Sequence, residues 1–569
     1  MKKLLFFILS VCFSTSGFSQ TATNADGSLK LRGNVAIVST YHAFTFKDGV
    51  FEQQINDEVA SEVKSAYNAI AMQTFGNSCF GIVNRDNVVF NNVMKQLEEQ
   101  KLEDYMDGFT VKAKGQGADC LCLIDNTMYT ENNFVQTIVS IRFINIVNNT
   151  GYHYTLKSKP INMADATMVQ RESGKMADRT LKFLYQHILD VYPEQYGIAK
   201  ADGKKLYLAA YQPNGRILLD DKWYAFKYTQ EQLKIRNQSI PVTVLKKEGE
   251  AKFDKADGGY CLVKADKVLP VSQDIVLFRN QSEPVVPSGN TPITYFALSY
   301  NPKTHEGYIK NRVNNAVYDA ITRHPGMVLI EQEHLPELKK ERELQKTEEF
   351  IDGHVVEQMK AIGAQFMIHL DNFVINGSKV SFQLNMVSVA ENRIVRTVDV
   401  SSSVDNIENE MYKQICERLT YPCNVNVVGK KELSVLSGWS LKSGDEIVIS
   451  ANKRIQNPIT KEASYSKVPL CGCTVIEYMG NKFKVKVDEI INDDDYGLIE
   501  KYSAESSLSV RMDGSDIKSD DSDMSDLEKE NRKQERANKR KAFLKGLGDA
   551  FLNNRSEERR VGKECRSRW

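Results

Sequence analysis

Ten cysteines and eight histidines are the residues of this 569-residue chain best suited to chemistry, and their spacing limits what they could do. Cys120 and Cys122 stand two apart, as do Cys471 and Cys473, each pair within an apolar run. Strand side chains two apart share a face, so each pair presents two thiols to one side. Two such pairs brought together would make a soft-ligand metal site. Their apolar neighbours favour buried strand cysteine instead. A disulfide within a pair is not expected, because the Cα atoms of such residues lie about 6.5 Å apart, near the upper limit for that bond. His324 and His334 flank a predicted strand, and His369 sits in an apolar run near Asp371, a setting for a core histidine rather than a catalytic one. Asp125 and Asp371 are each followed by Asn, for which bonding the turn at a strand end is the expected role. Glu103 and Glu348, with their acidic neighbours, read as solvated helix faces or salt bridges. Gly115-Gln116-Gly117 precedes its strand instead of following it and lacks the third glycine of a dinucleotide loop. Walker loops, zinc-protease helices and Gly-x-Ser-x-Gly elbows do not occur. No catalytic, cofactor-binding or metal-ligating set is assigned, no cofactor is expected, and the chain reads as a non-enzyme.

The elements that must position these residues begin after an export signal. Lys2 and Lys3 precede an apolar run from Leu4 to Phe13, then small and polar residues through Gly17 and Ser19. That run is far shorter than the roughly 20 residues of a membrane-spanning helix. Residues 1–19 are read as a signal peptide, leaving Gln20 as the first mature residue. Cys12 is the alternative, a lipidated cysteine, but it follows Val11 where lipoprotein signals carry a small residue. Residues 555–569 (RSEERRVGKECRSRW) resemble an in-frame translation of a sequencing adapter, so the natural carboxyl terminus is expected to be missing. Lysine plus arginine and aspartate plus glutamate balance at 74 each. Without the signal and the adapter-like segment the balance is mildly acidic, which gives no general attraction to nucleic acid. The remaining cysteines are too sparse for a disulfide scaffold, which leaves room for one or two bridges.

The chain carries an internal echo. Residues 100–108 (QKLEDYMDG) and 345–353 (QKTEEFIDG) share five identities and three conservative exchanges at an offset of 245. Each is followed by Gly-Ala and an apolar run, Gly117-Ala118 before Cys120 and Gly363-Ala364 before Phe366, and each run ends in Asp-Asn. Upstream, residues 35–39 and 293–299 read as opening strands. Ile55, Val59, Val63, Tyr67 and Ile70 recur at helical spacing, as do Ile309, Val313, Val317 and Ile321. Second strands are predicted over 80–83 and 327–330, alternating strands around Val135 to Phe143 and Val380 to Met386, and closing helices over 175–191 and 407–419. The order predicts an α/β (α+β) domain present twice, over residues 28–200 and 291–421, each sheet covered by helices. Each copy is followed by a small all-β barrel or sandwich, over 204–285 and 424–513. Residues 514–554 are a charged, largely disordered tail in which Phe543, Leu544, Leu547 and Phe551 make one apolar helical face. A frayed helix is the expected reading there; peripheral contact with a membrane or a partner is the alternative.

The succession of helix, short strand, Glu/Gln/Lys-rich helix, Gly-Ala and apolar strand resembles the superfamily of CsgG, LpoB and the amino-terminal domain of TolB. Residues 344–370 carry the likeness best, and the first copy is more divergent. The pairing of such a unit with a β module is similar to the FlgT family of flagellar assembly proteins. The resemblance implies an exported bacterial protein, periplasmic or outer-membrane associated, acting without catalysis through an envelope protein partner or self-association in envelope or outer-membrane assembly. A subunit of a CsgG-like secretion apparatus is the alternative, although the lipidated cysteine and long membrane-crossing inserts of such channels are not evident.

Overall fold

The computed structural model describes most residues between 33 and 513; within that span the longer stretches it leaves out are 84–117, 210–220 and 331–362. The echoed segments at 100–108 and 345–353, the signal peptide, Cys12, His334, Gly115-Gln116-Gly117 and the tail from 514 onward lie outside the described residues.

The first half contains β1 (Asn34–Lys47), β2 (Val50–Gln53), α1 (Asp57–Gly76), β3 (Gly81–Ile82), β4 (Cys120–Glu131), β5 (Phe134–Asn145), β6 (Thr150–Lys157), β7 (Ile161–Asn162) and α2 (Ala166–Val191). Strand β1 pairs in parallel with β3 and β4, and β4, β5 and β6 continue antiparallel. Tyr67, Ala71 and Phe75 of α1 and Leu184 and Ile188 of α2 share a core with Val35, Ile37, Cys120, Cys122, Ile141 and Phe143 on the sheet. Phe75, Phe80, Phe143 and Tyr192 interlock there edge-on and stacked. Full burial of such a ring is worth about 1.5–3 kcal/mol.

A closed barrel follows, made of β8 (Gln195–Asp202), β9 (Lys205–Ala209), β10 (Lys222–Ile235), β11 (Gln238–Asp257), β12 (Tyr260–Ala265) and β13 (Ile275–Arg279). One end of this barrel holds a buried ion triad. Arg279 bonds Glu194 at 3.2 Å and Asp221 at 2.7 Å, each side chain no more than 4% exposed.

The second half contains β14 (Thr291–Phe296), α3 (His305–Arg323), β15 (Met327–Ile330), β16 (Phe366–Asn376), β17 (Lys379–Ser388), β18 (Arg393–Ser403) and α4 (Ile407–Cys416). Strand β14 pairs in parallel with β15 and β16, and β16, β17 and β18 run antiparallel. A second closed barrel is built from β19 (Tyr421–Gly429), β20 (Glu432–Ser437), β21 (Glu446–Gln456), β22 (Ala463–Met479), β23 (Lys482–Ile490) and β24 (Leu508–Met512). Strand neighbours run β3-β1-β4-β5-β6 in the first half and β15-β14-β16-β17-β18 in the second. The two barrels close in one and the same order once their strands are counted from the first.

These elements correct the predicted fold class. The described residues are predominantly β, not a pair of α/β domains. Among the described residues the parallel pairs are β1 with β3 and β4, and β14 with β15 and β16. The two predicted sheets are one 12-stranded sheet, joined where β6 pairs β15 antiparallel through Gly151–Leu329 and Thr150–Ile330. The strands also outrun their predicted ends: β4 continues six residues beyond Asp125 and β16 five beyond Asp371. The Asp-Asn pairs therefore sit inside strands and do not end them. In β16 the register shifts between Asp371 and Val374, and Asn372 adopts φ 53°, the left-handed backbone that Asn tolerates best after Gly.

Candidate functional site at the seam of the sheet

The seam between the halves is short in backbone pairing and rich in side-chain contacts. Beyond its two residues paired to β15, the outer edge of β6 faces α3. The His153 amide donates to Thr322 Oγ1 at 3.1 Å, and the Thr155 amide to Asp319 Oδ1 at 3.3 Å. A strand edge buried without acceptors would leave N–H groups costing about 1–3 kcal/mol each. Helix α3 supplies acceptors where a strand would otherwise be needed. Arg323 donates to the other Asp319 oxygen at 2.7 Å and lies 5.8 Å over the Tyr154 ring.

A small cleft opens along this seam, lined among others by Asp125, Tyr129, Ser140, Thr155, Lys157, Arg312 and Glu408. Arg312, 6% exposed, reaches from α3 to Glu408 at 3.2 Å and Asp405 at 3.3 Å. Lys157 of β6 bonds the same Glu408, so one carboxylate holds cations from both halves. Burial lowers the Lys157 pKa, partly offset by Glu408. Burial alone would also lower that of Arg312, but Glu408 and Tyr308 outweigh it and the net shift is upward. Burial raises the Asp319 carboxyl, with Arg323 opposing. Asp125 accepts from Thr40 at 2.6 Å and Thr127 at 3.2 Å, with His42 3.7 Å away. Beside it Tyr129 packs edge-on against Tyr308, centroids 4.4 Å apart.

The residues singled out from sequence disperse. Cys120 and Cys122 are buried free thiols in the first sheet core, with Cys120 pushed up to about 12 by burial, while Cys471 and Cys473 lie in the second barrel. The pairs occupy separate cores, so the metal site that would combine them is not formed. Among the described residues no group of three His, Cys, Asp or Glu side chains is placed to hold a metal. His324 caps α3, accepts from the Gly326 amide at 3.0 Å and stands edge-on to Trp439. His369 and Asp371 are 3.3 Å apart, and Asn385 bridges Asp371 to Thr397 with two bonds of 2.6 Å. Burial lowers the His369 pKa against the pull of Asp371. Of the two aspartates only Asp125 reaches the seam. Arg312, Lys157, Asp319 and Glu408 were not singled out, and the one available signal was the polar run Asn311, Arg312, Asn314 and Asn315 within an otherwise amphipathic helix.

The fold thus defines a class: a predominantly β protein in which one sheet joins two halves and each half is followed by a six-stranded barrel. No family model matches the sequence, and no curated protein matches it. Among solved structures the chain is similar to the carboxyl-terminal domain of LpoB from Salmonella enterica, with 12% identity, 26% of this chain and 89% of that chain covered, and a TM-score of 0.16. It is similar also to TolB from Acinetobacter baumannii, with 8% identity, 80% and 94% covered, and a TM-score of 0.15. Likeness at that level carries no argument here. Among the described residues no helix is long and apolar enough to cross a membrane.

Proposed function

We propose that the chain is an exported cell-envelope protein, not itself an enzyme, that acts through protein contacts in envelope or outer-membrane assembly, its partner being another envelope protein or a second copy of itself. The observation that carries this reading is the engagement of the seam charges with one another. Glu408 is bonded by Lys157 and Arg312, and Asp319 by Arg323 and a backbone amide. Groups committed in this way orient two halves of a scaffold; they do not stand ready as acid, base or nucleophile. The signal-like residues 1–19 support export. The matched strand orders of the two halves and of the two barrels support a duplicated unit, sheet half plus barrel, as the origin of the chain.

Crosslinking in intact cells, followed by affinity recovery of the full chain, tests the reading. A reproducible crosslinked species containing an envelope protein or a second copy is expected. Recovery of the chain alone as a monomer, or from the cytoplasm, would contradict it.

A further inference from the structure

Within the core of the second barrel, Cys471 and Cys473 point the same way from β22 and their sulfurs are in contact, 3.6 Å apart. In a regular strand the side chains of residues two apart stand separated by most of the roughly 6.5 Å between their Cα atoms. Strand β22 is not regular here. Its register against β21 shifts where Ile449 and Ser450 face Cys471 and Pro469, and its register against β23 shifts between Gly472 and Cys473. The unmatched residues are Leu470 on β22 and Asp488 on β23, so the sheet is bent and twisted where the two thiols meet. The residue between the thiols is Gly472, which brings no side chain of its own to the strand.

We propose that Cys471 and Cys473 form a redox pair that closes an intrastrand disulfide in an oxidising environment. Geometry therefore reverses the expectation drawn from spacing alone, since the sulfurs stand 3.6 Å apart and not at the regular-strand separation on which it rested. With oxidised glutathione as oxidant, one thiolate attacks its S–S bond, forming a mixed disulfide and releasing one glutathione thiolate. The second thiolate then displaces the other glutathione. In sum one S–S bond breaks, one forms, and the two protons and two electrons lost by the cysteines appear on two glutathione thiols. The hydrogen bond to Cys471 and burial both push the Cys473 thiol well up. A ring closed over one intervening residue is strained, which places it among the reducible disulfides and not the permanent ones.

Trypsin cleavage after Lys467 and Lys482 isolates both residues on one peptide with no other cysteine. The full chain is incubated with oxidised glutathione beside a parallel reduced sample, in which Cys423 of the same core reports complete alkylation. It is then denatured, alkylated and digested. The 468–482 peptide is expected to be lighter by two hydrogens and unalkylated, and to accept two alkyl groups after treatment with dithiothreitol. Two alkyl groups without reductant, two glutathione adducts, or a link from either residue to Cys423 would each overturn the pair.

Discussion

At the scale of single residues, the buried histidines give the fold its expected response to acid. His187 and His324 are fully enclosed, and burial lowers each to about 3, with Lys442 and Arg323 adding to the effect at His187. His153, at the seam, is lowered by burial and by Arg142. Each is neutral in the folded chain where the unfolded chain, with a pKa near 6.5, already binds a proton. Their contribution to stability is complete above about pH 6.5 and is lost as pH falls toward the folded values, at about 1.4 kcal/mol per pH unit for each group in that window. Asp319 opposes this, because its raised pKa makes the folded state bind the extra proton. Three histidines outweigh one carboxyl, so the urea midpoint should drop between pH 7 and pH 5, and His324→Gln should make that drop shallower. A flat midpoint across the interval would show that these rings are not buried neutral. The sequence placed His369 in a core and left the role of His324 open, because the spacing of a histidine gives its element but not what closes over it.

At the scale of elements, the starts of strands were legible, and so were both ends of the short strand over 327–330, but the ends of the long strands were not. Val35, Cys120, Met327 and Phe366 fall at or within a residue of observed strand starts. Strand β4 was cut short at Asp125-Asn126 because polar residues in an apolar run read as a turn. Here they continue the strand, since Thr40 and Thr127 bond the Asp125 carboxylate at the seam. The polar stripe of α3 had the same ambiguity: a buried polar face that bonds its neighbours and a solvated one share one pattern. Close packing between elements is sharper. Gly326, in the turn between α3 and β15, lies so near Trp439 that an added Cβ would stand 2.3 Å from the indole nitrogen. Both are buried, and His324 closes the contact edge-on. Gly326→Ala should therefore destabilise the chain by about 1–3 kcal/mol through overpacking, and Trp439→Phe in the same chain should recover part of the loss. Unchanged denaturant midpoints in the single variant would contradict the close contact between Gly326 and Trp439.

At the scale of the whole molecule, the order of repeated segments was legible, but not their fusion. Two sheets predicted separately share one strand pairing of two residues, and nothing in β6 or β15 marks them as partners rather than edges. What completes the join is α3, whose Thr322 and Asp319 accept the amides of His153 and Thr155. On this account the halves move as one scaffold because side chains of one half satisfy the backbone of the other. Hydrogen exchange followed by mass spectrometry across β6 tests that most directly. In the native chain its amides should be as protected as those of β5. Asp319→Ala should speed exchange at Thr155 about tenfold, the equivalent of about 1.4 kcal/mol for one lost bond, and leave both barrels unchanged. Exchange of the native β6 amides at the rate of an open strand edge, unaltered by Asp319→Ala, would contradict it.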